Sequence, residues 1–310
     1  MSQSTKQSAR LRRPGEIFDL NTAHVAGVVQ KLWPRSGDVY ARLRISTRGK
    51  LVEDDDAQAV YTNLRFPEGK VKDQPISLQP GDVIRVSGYL THNEYFETIH
   101  RFLQDARTPR FLEDVPHEDL PSWQAISFRR VNIMLNVRSL ACLGPDGKAG
   151  PGTQIAEDDD AAMNDGKVLN QIVLEGIVAR QWEYADHLFT RLAVYDRFTP
   201  IERGNKIGKH GRPRRKPHYI TIRFTDHKVA GRPATIQLKD RLRITGAIGN
   251  QGTKVTLHQA LVETGSSEGV ELLGRLPNAD KVHEITAQQE SLHVEAGSLI
   301  AYTGRSEGES

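Results

Sequence analysis

The chain has 310 residues, enough for about two domains that each bury a core of their own, and it is polar for a globular protein, with 37% hydrophobic and 26% charged residues. It contains no run of about 18 apolar residues, which excludes a transmembrane helix, and its one cysteine, Cys142, excludes an intrachain disulfide and a multi-cysteine metal site. The net charge of +3 conceals segregation, with basic clusters at 10–13 and 203–216 and acidic clusters at 53–56 and 157–160.

Residues 1–16 carry Lys6, Arg10, Arg12 and Arg13 and lack the apolar stretch of a secretion signal, so they read as a disordered basic arm on a cytoplasmic protein. Beyond this arm the chain repeats itself. A shift of 149 lays residues 21–45 on 170–194, matching Asn21 with Asn170, Gly27 with Gly176, Trp33 with Trp182 and Arg42 with Arg191. A shift of 158 lays 61–103 on 219–261, matching Tyr61 with Tyr219, Arg65 with Arg223, Arg85 with Arg243, Gly88 with Gly246 and His100 with His258. One register held over such lengths marks a duplicated domain. The change of shift puts nine extra residues into one loop of the second copy.

Within each copy the apolar spacing is two, which predicts strands. Ala23, Val25 and Val29 begin the first copy. Val39, Ala41, Leu43 and Ile45 then face inward, with Tyr40, Arg42 and Arg44 outward. Thr62, Leu64 and Phe66 face inward against Tyr61, Asn63 and Arg65, and Ile84, Val86 and Leu90 complete a fourth strand. Short hairpins at about 91–95 and 249–253 then lead to a fifth strand in each copy. A five-stranded unit of about 85 residues with one apolar face per strand suits a small closed barrel. Between the copies, Val131, Ile133, Leu135 and Val137 alternate with Asn132, Asn136 and Arg138 as in a strand, and 144–167, rich in Gly, Pro and Asp, reads as a linker. Cys142, in an apolar context, reads as a small buried hydrophobe.

Asn21-x-Ala23-x-Val25-x-Gly27-x-Val29 and Asn170-x-Ile172-x-Leu174-x-Gly176-x-Val178 resemble the first strand of bacterial single-stranded DNA-binding proteins. Leu78-x-x-Gly81-Asp82-x-Ile84-x-Val86-x-Gly88-x-Leu90 resembles that family's fourth strand, and Leu238-x-Asp240-x-Leu242-x-Ile244-x-Gly246-x-Ile248 does so less completely. The resemblance covers about 170 residues in two blocks. It implies an all-β chain of two tandem OB-fold barrels that binds single-stranded DNA in replication, recombination or repair, with RNA not distinguished from DNA. It implies a layout of OB fold 1 at 17–108, a connecting segment and acidic linker at 109–167, OB fold 2 at 168–265 and a mostly flexible tail at 266–310. Because one-barrel members form tetramers, it also implies a homodimer with four barrels. The sequence departs from the family in two ways: the hairpins look short where the family has a long arm, and Gly304 to Ser310 lacks the acidic tip ending in Pro-Phe that recruits partner proteins.

Strand binding without sequence preference needs cations for phosphates and flat rings for bases. The outward positions interleave them: Tyr40, Arg42, Arg44, Tyr61 and Arg65 in the first copy, and Phe189, Arg191, Tyr219 and Arg223 in the second, with Arg85 and Arg243 on the fourth strands. An ordinary half-buried sheet face carries the same residue types. Trp33 and Trp182, just past the first strands, either stack on bases or plug the barrels. His100 and His258 read as structural. In the basic loop, Arg203, Lys206, Lys209, Arg212, Arg214, Arg215 and Lys216 stand among glycines and prolines as phosphate contacts. The acidic runs Glu53–Ala57 and Glu157–Ala161 are consecutive on loops and do not converge as metal ligands; they read as tails competing with DNA for the basic groove. No nucleotide-binding, metal or catalytic motif stands out, so neither cofactor nor metal nor membrane contact is expected. Two readings from other classes stay open: an OB-fold adaptor or structural subunit of a nucleoprotein complex, with nucleic-acid contact secondary, and a Mg²⁺-dependent nuclease built on the acidic runs.

Overall fold

The computed structural model describes residues 18–45, 60–144, 150, 153–154, 170–198, 216–263, 271 and 284–302. The basic arm, both acidic runs, residues 203–215 of the basic loop and residues 304–310 lie outside them. The period-two segments fold as strands: β1 Asn21–Arg35, β2 Asp38–Ile45, β3 Val60–Phe66, β4 Val83–Thr98 and β5 Ser127–Cys142, then β6 Asn170–Tyr184, β7 His187–Val194, β8 His218–Phe224, β9 Arg241–Thr256 and β10 Thr286–Tyr302. Helices α1 (Ile99–Asp105) and α2 (Leu120–Ala125) follow β4, and α3 (Leu257–Glu263) follows β9.

Each half closes on itself. Strand β1 pairs with β2, β2 with β3, β3 in parallel with β5, β5 with β4, and β4 with β1. The second half repeats this in the order β6, β7, β8, β10, β9 and back to β6, again with one parallel pairing, β8 with β10. The chain is all-β, and a five-stranded closed sheet of this order is the OB fold. Inward residues Leu43, Leu64, Phe66, Ile84 and Leu90 are fully buried in barrel 1, as are Leu192, Ile220, Ile222, Phe224, Leu242 and Ile244 in barrel 2. Each such side chain contributes roughly 1.5–3 kcal/mol by leaving water.

The closing strands are not where the sequence pattern placed them. Strand β4 does not turn at 91–95 but runs to Thr98, and β5 pairs with it from Ile84↔Cys142 to Thr98↔Ser127. The alternating stretch around Ile133–Val137 therefore belongs to barrel 1 and not to a connection, and barrel 1 extends past residue 108 to Cys142. Likewise 266–310 contains β10, which closes barrel 2, paired with β9 over its whole length. The segments expected as fifth strands are the ends of β4 and β9 followed by helices. Ile99, Phe102 and Leu103, and Leu257, Ala260 and Leu261, recur at steps of three and four and are all buried. Thr98 caps α1 by accepting from the Arg101 N–H at 3.4 Å, and Thr256 and Gln259 exchange two 3.0 Å bonds as a capping box before α3. Both barrels therefore carry a long two-stranded arm.

The repeated sequence signature has local causes. Gly88 and Gly246 sit at bulges where β4 meets β5 and β9 meets β10. A Cβ there would lie 1.9 Å from the Asn136 carbonyl oxygen and 2.0 Å from that of Glu295, so no other residue fits. Beyond each bulge the first strand leaves the fourth, and an asparagine amide stands in for backbone. Asn21 accepts from Leu90 N–H at 2.9 Å and donates to its carbonyl at 2.8 Å; Asn170 does the same to Ile248 at 2.8 and 3.0 Å.

The barrels join where β1 pairs antiparallel with β6, centred on Ala23↔Ile172, two residues equivalent in the repeat. The halves are thus related by a pseudo-two-fold axis through that pair. Arg241 clamps the junction, bonding Asp19 and, at 3.0 Å, Glu175, whose carboxylates are both almost completely buried. A second core lies outside the barrels: Ile99, Phe102, Leu103, Trp123 and Phe128 from the first arm pack with Leu257, Leu261, Ile285 and Ala287 from the second. Each arm is thereby held across the other half.

Candidate nucleic-acid interface

On each barrel the outer face of the first three strands collects rings and cations. Strict alternation from Val25 would turn Lys31 and Trp33 inward. A bulge between Val29 and Lys31 shifts the register and re-aims them outward, Lys31 opposite Arg42 and Trp33 opposite Tyr40. The same bulge in barrel 2, between Val178 and Arg180, sets Arg180 opposite Arg191 and Trp182 opposite Phe189. The tryptophans are therefore on the outer sheet face and do not plug the barrels. Trp33 stacks on Tyr40 with ring centroids 5.9 Å apart, and Trp182 on Phe189 at 5.5 Å.

Two cations face each other across the strands at equivalent places, Lys31 with Arg42 and Arg180 with Arg191. Like charges directly opposite destabilise a sheet. Burial, and after it the charge of Arg180, pull Arg191 below its ordinary pKa. Arg180 and Arg191 each lie 5.6 Å from the Trp182 ring, and Arg42 lies 4.8 Å from that of Tyr61. Alternation alone does not nominate Lys31 and Arg180, because only the bulge brings them to this face.

The other expected residues divide. Arg44 is half-buried on β2, and Arg243 is exposed on β9, away from the β1–β3 type face. Arg65 bonds Asp38 at 2.7 Å. Burial pushes the Asp38 carboxyl up, but hydrogen bonds from the Glu68 N–H and Arg65 outweigh it and hold the group below its usual value. Arg223 pairs with Glu295, which His293 also bonds at 2.8 Å; burial raises Glu295, and these partners bring it below its ordinary value. Arg85 and Phe189 are only 4% exposed, which corrects their placement on an accessible face. Arg85 lies mid-sheet between Ala26 and Ala141 because β5 covers the far edge of β4. Phe189 is covered by Trp182 and by the edge of His293, 6.3 Å away. Lys216 is exposed and pairs with Glu94 of the first arm at 3.2 Å, while Arg212, Arg214 and Arg215 lie outside the described residues. His100 and His258 sit on α1 and α3.

The arms flank these faces reciprocally. The first arm lays His92 against Tyr219, the rings 5.7 Å apart and the Tyr219 N–H donating to His92 Nδ1 at 3.4 Å. The second arm brings Asn250, the repeat equivalent of His92, to the rim of a cavity of about 480 Å³ beside Tyr61, Arg42 and Asn63.

No family model matches the sequence, and no curated protein matches it. Among solved structures, the chain is similar to the wild-type single-stranded DNA binding protein from Thermus aquaticus, with 13% identity, a TM-score of 0.44 and 94% of this chain and 97% of that one covered. A deletion mutant of the same protein gives 12% identity and a TM-score of 0.45, covering 94% and 99%. Those scores mark a loose likeness, and the class of the fold rests on the strand pairings themselves: two joined OB barrels, each presenting an aromatic and cationic outer face.

Proposed function

We propose that this protein binds single-stranded DNA with little sequence preference, as a non-catalytic partner in replication, recombination or repair, and that both outer faces contact the strand. The observation that carries this reading is the cation pair repeated beside a stacked tryptophan on each barrel, Lys31 with Arg42 and Arg180 with Arg191. A phosphate between two opposed cations removes their repulsion, and the neighbouring ring offers a face to the attached base. The first- and fourth-strand motifs point to the same class of ligand.

The test is the salt dependence of binding to a labelled oligonucleotide. Replacing Lys31, Arg42, Arg180 and Arg191 with alanine removes four phosphate contacts, which should flatten the slope of log K against log salt by roughly 3, at about 0.7 per contact. An oligonucleotide bound by the wild-type chain with the same slope as the quadruple variant rules these faces out; no binding at all rules out the function.

A further inference from the structure

Besides Tyr61 and Arg42, the cavity beside them is lined by polar residues that stacking and phosphate contacts do not use. Its volume of about 480 Å³ lies within the range of small-molecule sites, roughly 300–1,000 Å³. Three carboxamides converge on it from three strands: Asn63 on β3, Asn132 on β5 and Asn250 on β9. Two carboxylates join them, Glu97, which accepts from Arg130 at 2.8 Å, and Asp105, 3.3 Å from Arg101. Arg42 and Arg130 line the cavity too, so two guanidinium groups balance the two carboxylates, and walls without net charge favour a neutral occupant that satisfies their polar groups. One acceptor among the lining residues lacks a donor: Asn250 Oδ1 is shielded and finds no hydrogen-bond partner among the described residues. A buried acceptor left in that state costs free energy until a donor reaches it.

We propose that the cavity takes a single nucleobase bearing an exocyclic amino group, turned out of a strand lying on the β2–β3 face of barrel 1, with Asn250 Oδ1 accepting from that amino group. The proposal rests on the strand-binding reading and adds a selectivity that stacking cannot supply, because stacking accepts every base whereas hydrogen bonds to a turned-out base read its edge. Guanine, adenine and cytosine carry the amino group. Thymine carries a carbonyl oxygen in its place and offers the Asn250 acceptor no donor there. Across the pseudo-two-fold axis His92 packs on Tyr219, so the two faces differ in this respect.

The experiment is a competition with an all-thymine oligonucleotide and with versions carrying one central dG, dA or dC, using the full chain. The substituted strands should bind roughly fivefold tighter, the scale of one hydrogen bond to a buried partner. Asn250→Leu should remove that difference, whereas Asn250→Asp, which keeps an acceptor, should preserve it. Equal wild-type affinities for all four strands, or a preference that survives Asn250→Leu, overturn the proposal while strand binding stands. Failure to bind any of the strands overturns both.

Discussion

The two barrels share backbone and register, yet the same position on each does opposite work. His92 and Asn250 are equivalent in the repeat, and each arm delivers its residue to the other barrel's tyrosine. The imidazole packs on Tyr219; the shorter amide leaves a cavity at Tyr61. The arginines behind these tyrosines differ as well. Arg65 is held by Asp38 at the start of its neighbouring strand, and Arg223 by Glu295 on the closing strand, where barrel 1 has Asn136 in the matching register. A duplicated fold therefore fixes where a side chain arrives, and one or two substitutions decide whether the place it reaches is open or filled.

The junction tests that comparison most severely. Arg241 holds two buried carboxylates on one side of the axis, whereas Val83 and Ala26 occupy the places equivalent to Arg241 and Glu175 on the other. Arg241→Ala removes the cation that both buried carboxylates share, and should lower stability by about 3–5 kcal/mol. Val83→Ala should cost only about 1 kcal/mol. Denaturant midpoints for both variants measure the difference, and equal losses would mean that the two sides of the junction are energetically alike.

The tyrosines come next in size. Tyr61→Ala should weaken strand binding by about 1–3 kcal/mol and scarcely change the melting temperature. Tyr219→Ala should do the reverse, since its ring packs on the arm that the other half supplies. If both variants lose affinity equally, His92 does not withhold the Tyr219 ring from the strand.

The smallest expected effect is one of pH. His218 is buried at the seam, with the His92 ring edge-on 6.3 Å away and Asp196 acting on its charge. Burial lowers its pKa, Asp196 opposes the shift and His92 adds to it, for a net depression. The unfolded chain, with an ordinary value of about 6.5, then binds this proton more readily than the folded one. The stabilising contribution is complete above that value and is lost as pH falls below it. Melting temperature should drop between pH 7.5 and 5.5, and His218→Gln should reduce the drop; an unchanged profile would remove His218 as its source.

The first four strands of each barrel are legible in the sequence, since alternation and the repeat agree there residue by residue. The closing strands are obscured because β5 and β10 lie beyond an arm and a helical insert, and because only Ser139 with Ser298 and Leu140 with Leu299 are identical between them. The helical spacing of Ile99, Phe102 and Leu103 is present but lies inside a stretch that the repeat assigns to a strand. On the candidate face, Tyr40, Arg42 and Tyr61 follow from alternation. Lys31 and Arg180 do not, because a bulge of one residue reverses facing and leaves no mark in composition. The burial of Phe189 depends on His293, a residue more than a hundred positions away.

The antiparallel pairing at Ala23↔Ile172 has a directional consequence. A nucleic-acid strand has distinct 5′ and 3′ ends, while a two-fold axis has no preferred sense. One strand crossing both faces runs one way over barrel 1 and the opposite way over barrel 2 relative to each barrel's own frame. Two identical faces would make the two orientations of the complex equal in energy. With a cavity on one face and an imidazole on the other, the orientations differ, and a fused chain that binds a strand as proposed would tell one of its ends from the other.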